Sequence, residues 1–178
     1  MPTPTYVAIA KATPTGSSVE FTGISNTYTD LFLVASLRTA NATVDDYCQV
    51  QLGGITANNY TDRYVYGAGS TVTAGSGSST NGFYYAIAAC GSSATSNTFA
   101  SSEMYIPNAF GSTNKPVSST YAVENNSASS NTIRITAQLF SNTGQVTSIK
   151  IITSAGNFAS GSRFDLYGIK NSLSLIHI

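Results

Sequence analysis

An all-β fold, a two-sheet antiparallel β-sandwich of about ten strands, is what this sequence predicts. Three observations predict it. Short apolar-rich runs alternate with period 2, clusters of Gly, Ser, Asn and Pro interrupt them at intervals of roughly 8–18 residues, and no segment carries the 3.6-residue period of a helix. The 178 residues, 42% of them hydrophobic, suit one domain with a sizeable core. The expected division is a single sandwich over 1–172 followed by an apolar tail over 173–178.

The strand pattern opens at TYVAIAKA (Thr5 to Ala12), where Tyr6, Ala8 and Ala10 alternate with Val7 and Ile9. After the turn cluster TPTGSS comes VEFTGI (Val19 to Ile24), then TYTDLFLVASLRT (Thr27 to Thr39). Both parities of that run are apolar from Leu31 to Ala35, which predicts a central strand covered on both sides. YCQVQLGG sets Cys48, Val50 and Leu52 against Gln49 and Gln51, a one-sided strand. Tyr60, Tyr64 and Tyr66 share one parity of a strand starting near Tyr60. GAGSTVTAGSGSSTNG (Gly67 to Gly82) has too few apolar side chains to fold alone and predicts a loop, mobile or held by a neighbour.

FYYAIAA (Phe83 to Ala89) resumes the strand pattern. TFASSEMYIPNAF follows, and Pro107 should end the strand or mark an edge, because proline cannot donate to a ladder. Two more strands are expected at VSSTYAVEN and TIRITAQLF; in the second, Ile133, Ile135, Ala137 and Leu139 face one way and Arg134, Thr136 and Gln138 the other. SNTGQ (Ser141 to Gln145) reads as a short hairpin-type loop with a glycine at positive φ. VTSIKIITS (Val146 to Ser154) and GSRFDLYGIK (Gly161 to Lys170) are expected to pair as a closing antiparallel hairpin across AGNFASG, with Phe164 and Leu166 in the core. Among two-sheet architectures, this count and spacing point to a jelly roll.

Only 9% of residues are charged, against roughly 25% in typical soluble proteins, so the surface is polar but neutral. The eight basic residues are dispersed singly and balance eight acidic ones. Without clustered cations, neither nucleic acid nor an anionic membrane surface is an expected partner. Near-zero net charge favours association with copies or neighbours. The start MPTPTYVAIAKA lacks the basic and apolar segments of a secretory signal, so synthesis in the cytoplasm is expected. Cys48 and Cys90 lie in strand-like segments and are expected as free core thiols.

Familiar catalytic patterns are missing: G-x-S-x-G, G-x-x-x-x-G-K-[ST], H-E-x-x-H and C-x-x-C do not occur, and the one histidine is His177, next to last. The acidic residues Asp30, Asp45, Asp46, Asp62, Glu103, Glu124 and Asp165 show no spacing that selects a glycosidase pair or a calcium loop. No enzyme activity, cofactor or metal is therefore expected. Eleven tyrosines without a tryptophan, interleaved with Ser, Gly and Asn, have the composition of adaptable binding surfaces. Tyr60, Tyr64, Tyr66, Tyr84 and Tyr85 flank the Gly/Ser segment and are the candidate contacts to a glycan or partner. Leu173, Leu175, Ile176 and Ile178 make an apolar hook expected to dock either on its own subunit or on a partner subunit.

The opening TYVAIAKA and EFTGISNTYTDLFLVASLRT, with the closing SRFDLYGIKNS, resemble the small β-sandwich virion proteins of tailed bacteriophages, especially those of cyanobacterial and marine phages. There an F-T-x-I … Y-T-D-L segment begins the domain and an F-x-L-Y-G-I strand closes it. The resemblance spans about Thr5 to Arg38 and Ser162 to Asn171. It implies a virion structural protein without catalytic residues: a head decoration or cement subunit, forming a homotrimer or another homo-oligomer and contacting virion proteins such as the major capsid protein. A tail-fibre or receptor-binding module that recognises host glycans is the alternative.

Overall fold

In the computed structural model, residues 5–79, 81–127 and 131–170 are described, and they form strands without a helix. The hook residues Leu173, Leu175, Ile176 and Ile178, and His177, lie outside the described residues. The strands are β1 (Tyr6–Ala12), β2 (Ser18–Phe21), β3 (Asp30–Leu37), β4 (Asp45–Leu52), β5 (Tyr60–Ala68), β6 (Thr71–Ser79), β7 (Phe83–Cys90), β8 (Ala100–Ile106), β9 (Lys115–Val123), β10 (Thr132–Phe140), β11 (Ile149–Thr153) and β12 (Arg163–Ile169). An eight-stranded sheet runs β1-β12-β3-β8-β9-β10-β5-β6, and a four-stranded sheet runs β2-β11-β4-β7; every pairing is antiparallel. Twelve strands thus replace the ten or so expected.

Period-2 patterning sets the core. In β12, Phe164, Leu166 and Gly168 point inward while Arg163, Asp165 and Tyr167 point outward, and in β4 the buried parity is Asp46, Cys48, Val50 and Leu52. Phe164, Leu166, Cys48, Val50 and Leu52 meet Leu31, Leu33 and Leu37 of β3 and Ile149 and Ile151 of β11 in one cluster between the sheets. Each fully buried Leu, Ile or Phe contributes roughly 1.5–3 kcal/mol. Cys48 and Cys90 are buried free thiols, and burial pushes both thiol pKa values up.

Four expectations are corrected. VTSIKIITS and GSRFDLYGIK do not form a hairpin: β11 pairs with β2 and β4, whereas β12 pairs with β1 and β3 in the opposite sheet. The connection crosses the sandwich because its midpoint, Phe158, is buried, edge-on to Phe164 with ring centroids 5.4 Å apart. SNTGQ likewise links the larger sheet to the smaller, and its bend comes from the Asn142 carboxamide oxygen accepting the Gly144 N–H at 2.7 Å rather than from a positive-φ glycine. β3 is central, but only its inner face is sealed; Phe32 and Val34 are half-buried and Ser36 is exposed. The Gly/Ser segment is not a loop. Residues 71–79 form edge strand β6, in unbroken register with β5 from Tyr60↔Ser79 to Ala68↔Thr71. Ladder hydrogen bonds need no apolar side chain, and Gly69 (φ 56°) supplies the two-residue turn.

The smaller sheet ends at β7, which lies over β8 and β9. β10, β5 and β6 project past it. On this overhang the alternation of β10 is reversed from the usual: Thr132, Arg134, Thr136 and Gln138 are the buried parity, and Ile133 (60% exposed) and Ile135 (62%) face solvent.

Candidate functional site

The inward side of the overhang and the edge of β7 enclose a cleft of about 330 Å³, within the size range of small-ligand pockets. Strand parity brings its residues together. Tyr60, Asp62, Tyr64 and Tyr66 share the inward face of β5, and antiparallel register sets Tyr64 opposite Thr136 and Tyr66 opposite Arg134. The Arg134 guanidinium lies 3.8 Å from the Tyr64 ring centroid and 5.1 Å from that of Tyr85. Burial pushes the neighbouring Tyr121 phenol up to about 12, against the opposing pull of Arg134.

Tyr85 reaches Arg134 because β7 is bulged. Cys48 pairs with Ile87 and Val50 with Phe83, so the three residues Tyr84, Tyr85 and Ala86 face the single Gln49. Tyr85 takes φ 57°, a left-handed conformation uncommon for a side chain of this size. Bulges re-aim side chains, and such strain gathers at functional sites. Tyr85 also packs edge-on against Tyr47 at 4.7 Å, which holds the re-aimed ring.

Two glycines of β6 leave room for the side chains of β5 that face the cleft. A Cβ on Gly75 would lie 2.5 Å from the Tyr64 hydroxyl, and one on Gly77 would lie 3.1 Å from the Asp62 carboxylate. Gly75→Ala is expected to swing Tyr64 away from Arg134 while changing stability by only about 1 kcal/mol. NMR checks this: ring-current shifts of the Arg134 side-chain protons should collapse.

Other buried or half-buried charges are fully engaged in holding the fold. Arg38 donates to the carbonyls of Ser92, Ala94, Thr95 and Thr98, and Lys115 Nζ donates to those of Gly111 and Thr113. The Asp46 carboxylate accepts from Thr39 Oγ1, the Tyr47 N–H and Ser154 Oγ, and Asp30 accepts from Tyr105 Oη and the Asn108 N–H. The cleft pair differs. Arg134 Nη2 and Asp62 Oδ1 stand 4.0 Å apart with side chains 6% and 10% exposed, and neither atom has a hydrogen-bond partner in the protein. Gln138, opposite Asp62 in the ladder, has both amide atoms unpartnered.

Of the five tyrosines singled out from the sequence, Tyr64, Tyr84 and Tyr85 converge on the cleft walls. Tyr60 forms its floor from the core: its ring stacks on Phe140 at 5.0 Å, and its hydroxyl donates to the Ile55 carbonyl at 2.8 Å. Tyr66 sits beside Tyr64 at 5.9 Å and does not line the cleft. The polar centre, Arg134 with Asp62, was not singled out. Asp62 shares the parity of the tyrosines, which was a readable signal; Arg134 arrives only through the β5–β10 pairing. No protein-family model matches this chain, and no curated protein matches it.

Proposed function

We propose that this chain is a structural subunit of a bacteriophage virion, a jelly-roll protein displayed on the head as a decoration or cement subunit and working by binding copies of itself. The single observation that carries this reading is the outward face of the overhang. Register places Ile135 beside Val65, and Ile133 between Ala122 and Gly67, with Val72 next in the row. Ile133, Ile135, Val65 and Val72 are 60%, 62%, 49% and 76% exposed. A contiguous apolar patch on an otherwise neutral surface marks a protein interface. Three charged residues, Arg63, Glu103 and Glu124, stand at its borders, so groups of both signs ring the apolar centre.

The jelly-roll assignment is supported by strand order. Setting aside the β5–β6 and β9–β10 hairpins leaves eight strands, of which the first, eighth, third and sixth form one sheet and the second, seventh, fourth and fifth the other. That is the order of two interlocked Greek keys, an architecture used by capsid proteins and lectins.

Purified protein is expected to sediment as a homo-oligomer and to bind shells of the phage that encodes it. Ile135→Asp, at an exposed position, should leave the fold intact and weaken self-association by about a hundredfold or more, the loss of a central apolar contact to a buried charge. A parent protein that sediments as a monomer and ignores shells overturns the reading.

A further inference from the structure

We propose that the tyrosine-lined cleft is a carbohydrate site that takes a neutral saccharide, with the Asp62–Arg134 pair reading one of its hydroxyl groups and Tyr84 serving as the stacking platform. The site is distinct from the self-association face, since the two occupy opposite sides of the same overhang.

The pair is spaced for a hydroxyl. A direct charge-assisted hydrogen bond would bring nitrogen and oxygen to about 2.8 Å, but Arg134 Nη2 and Asp62 Oδ1 stand 4.0 Å apart. An oxygen atom seated about 2.8 Å from each completes both, accepting from Nη2 and donating its proton to Oδ1. Groups this buried are costly to leave unpaired, and both are. A sugar hydroxyl supplies a donor and an acceptor on one atom.

Charge selects against other ligands. The pair is neutral overall, so a phosphate, sulfate or carboxylate would be set beside Asp62, and an amine beside Arg134. A neutral polyol incurs neither repulsion. The aromatic contribution comes from the β7 bulge, which leaves Tyr84 49% exposed at the cleft mouth, where its face can pack on the C–H face of a pyranose ring. Across the Tyr84–Tyr85 wall lies a second hollow of about 460 Å³ that includes Gln49, whose Nε2 is buried without an acceptor. A saccharide longer than one ring has a place to continue.

The test is saturation-transfer NMR and calorimetry on the full chain with neutral mono- and oligosaccharides of glucose, galactose, mannose and N-acetylhexosamines, beside sialylated and sulfated counterparts. The expected result is binding of a neutral saccharide, tighter for the oligomer than the single ring. Asp62→Asn, near-isosteric, and Tyr84→Ala, at an exposed position, should each weaken binding by about tenfold or more with an unchanged circular dichroism spectrum. Silence across the panel, binding confined to anionic sugars, or full affinity in both folded variants overturns the proposal. Ile135→Asp should bind saccharide as the parent does, so a failure of self-association is read separately from a failure of this site.

Discussion

Raising the pH is expected to unfold this protein abruptly between about pH 10 and about pH 12. The phenols of Tyr47, Tyr60 and Tyr121 are all held above their ordinary value of 10.0, first by burial; for Tyr47 the hydrogen bond to Asp45 adds to it. The Cys48 and Cys90 thiols are raised from 9.0 by the same cause. Each group binds its proton more tightly folded than unfolded, so its contribution is complete below the unfolded pKa and is lost as pH climbs toward the folded one. The loss begins near pH 9 with the thiols and steepens above 10 with the phenols. Each group removes about 1.4 kcal/mol per pH unit between its unfolded and folded pKa, so Tyr47, Tyr121 and Cys48 alone remove a large part of a typical stability of about 5–15 kcal/mol, and Tyr60 and Cys90 act in the same direction. Lys115, whose pKa burial lowers from 10.5, works in the opposite direction but only up to that pH. Far-ultraviolet circular dichroism and tyrosinate absorbance should change together. Tyrosines that ionise smoothly near pH 10 in an intact fold would contradict this account.

Phe164→Ala is expected to cost about 3–5 kcal/mol, the range for removing a fully buried aromatic ring from a core that cannot collapse around the cavity. Phe164 lies on β12 and meets Phe158 of the crossover at an interplanar angle of 85°. The loss should therefore reach both the sheet and the connection. In urea, the midpoint should fall with the slope unchanged. Phe158→Ala in the same background should show a coupling of about 0.5–1.5 kcal/mol, the usual worth of an edge-to-face pair. Strict additivity would mean that the two rings do not support each other.

Much of the fold was legible because period-2 alternation survives burial. The inward sets of β4 and β12 were readable residue by residue, Pro107 did mark the end of β8, and the new strand did start at Tyr60. What alternation leaves open is which sheet a strand joins. β11 and β12 are both apolar on one parity, and only the burial of Phe158 between them decides that they part. Nor does alternation say which parity faces inward. In β10 the apolar set points outward, because the smaller sheet has already ended and the inner side serves a polar cleft. β6 escaped notice for a related reason: its partner recognises backbone, and the backbone of a Gly/Ser run looks like that of a loop. For the cleft, four of the five tyrosines named from the sequence line its floor and walls, whereas Arg134 belongs to a strand about 70 residues further on, and only pairing delivers it.

The partnership of the first strand with the last has a consequence for biosynthesis. Tyr6 pairs with Ile169, and β12 is also the sole bridge between β1 and β3. A ribosome-bound chain must therefore hold β1 unpaired until β12 has been made. Closure waits for β12 to clear the exit tunnel, and the entropy of so long a loop places this fold among slow folders, in the millisecond-to-second range or beyond. During that wait β10 gains nothing for its outward isoleucines, since Ile133 and Ile135 stay exposed even after β1 and β12 have paired.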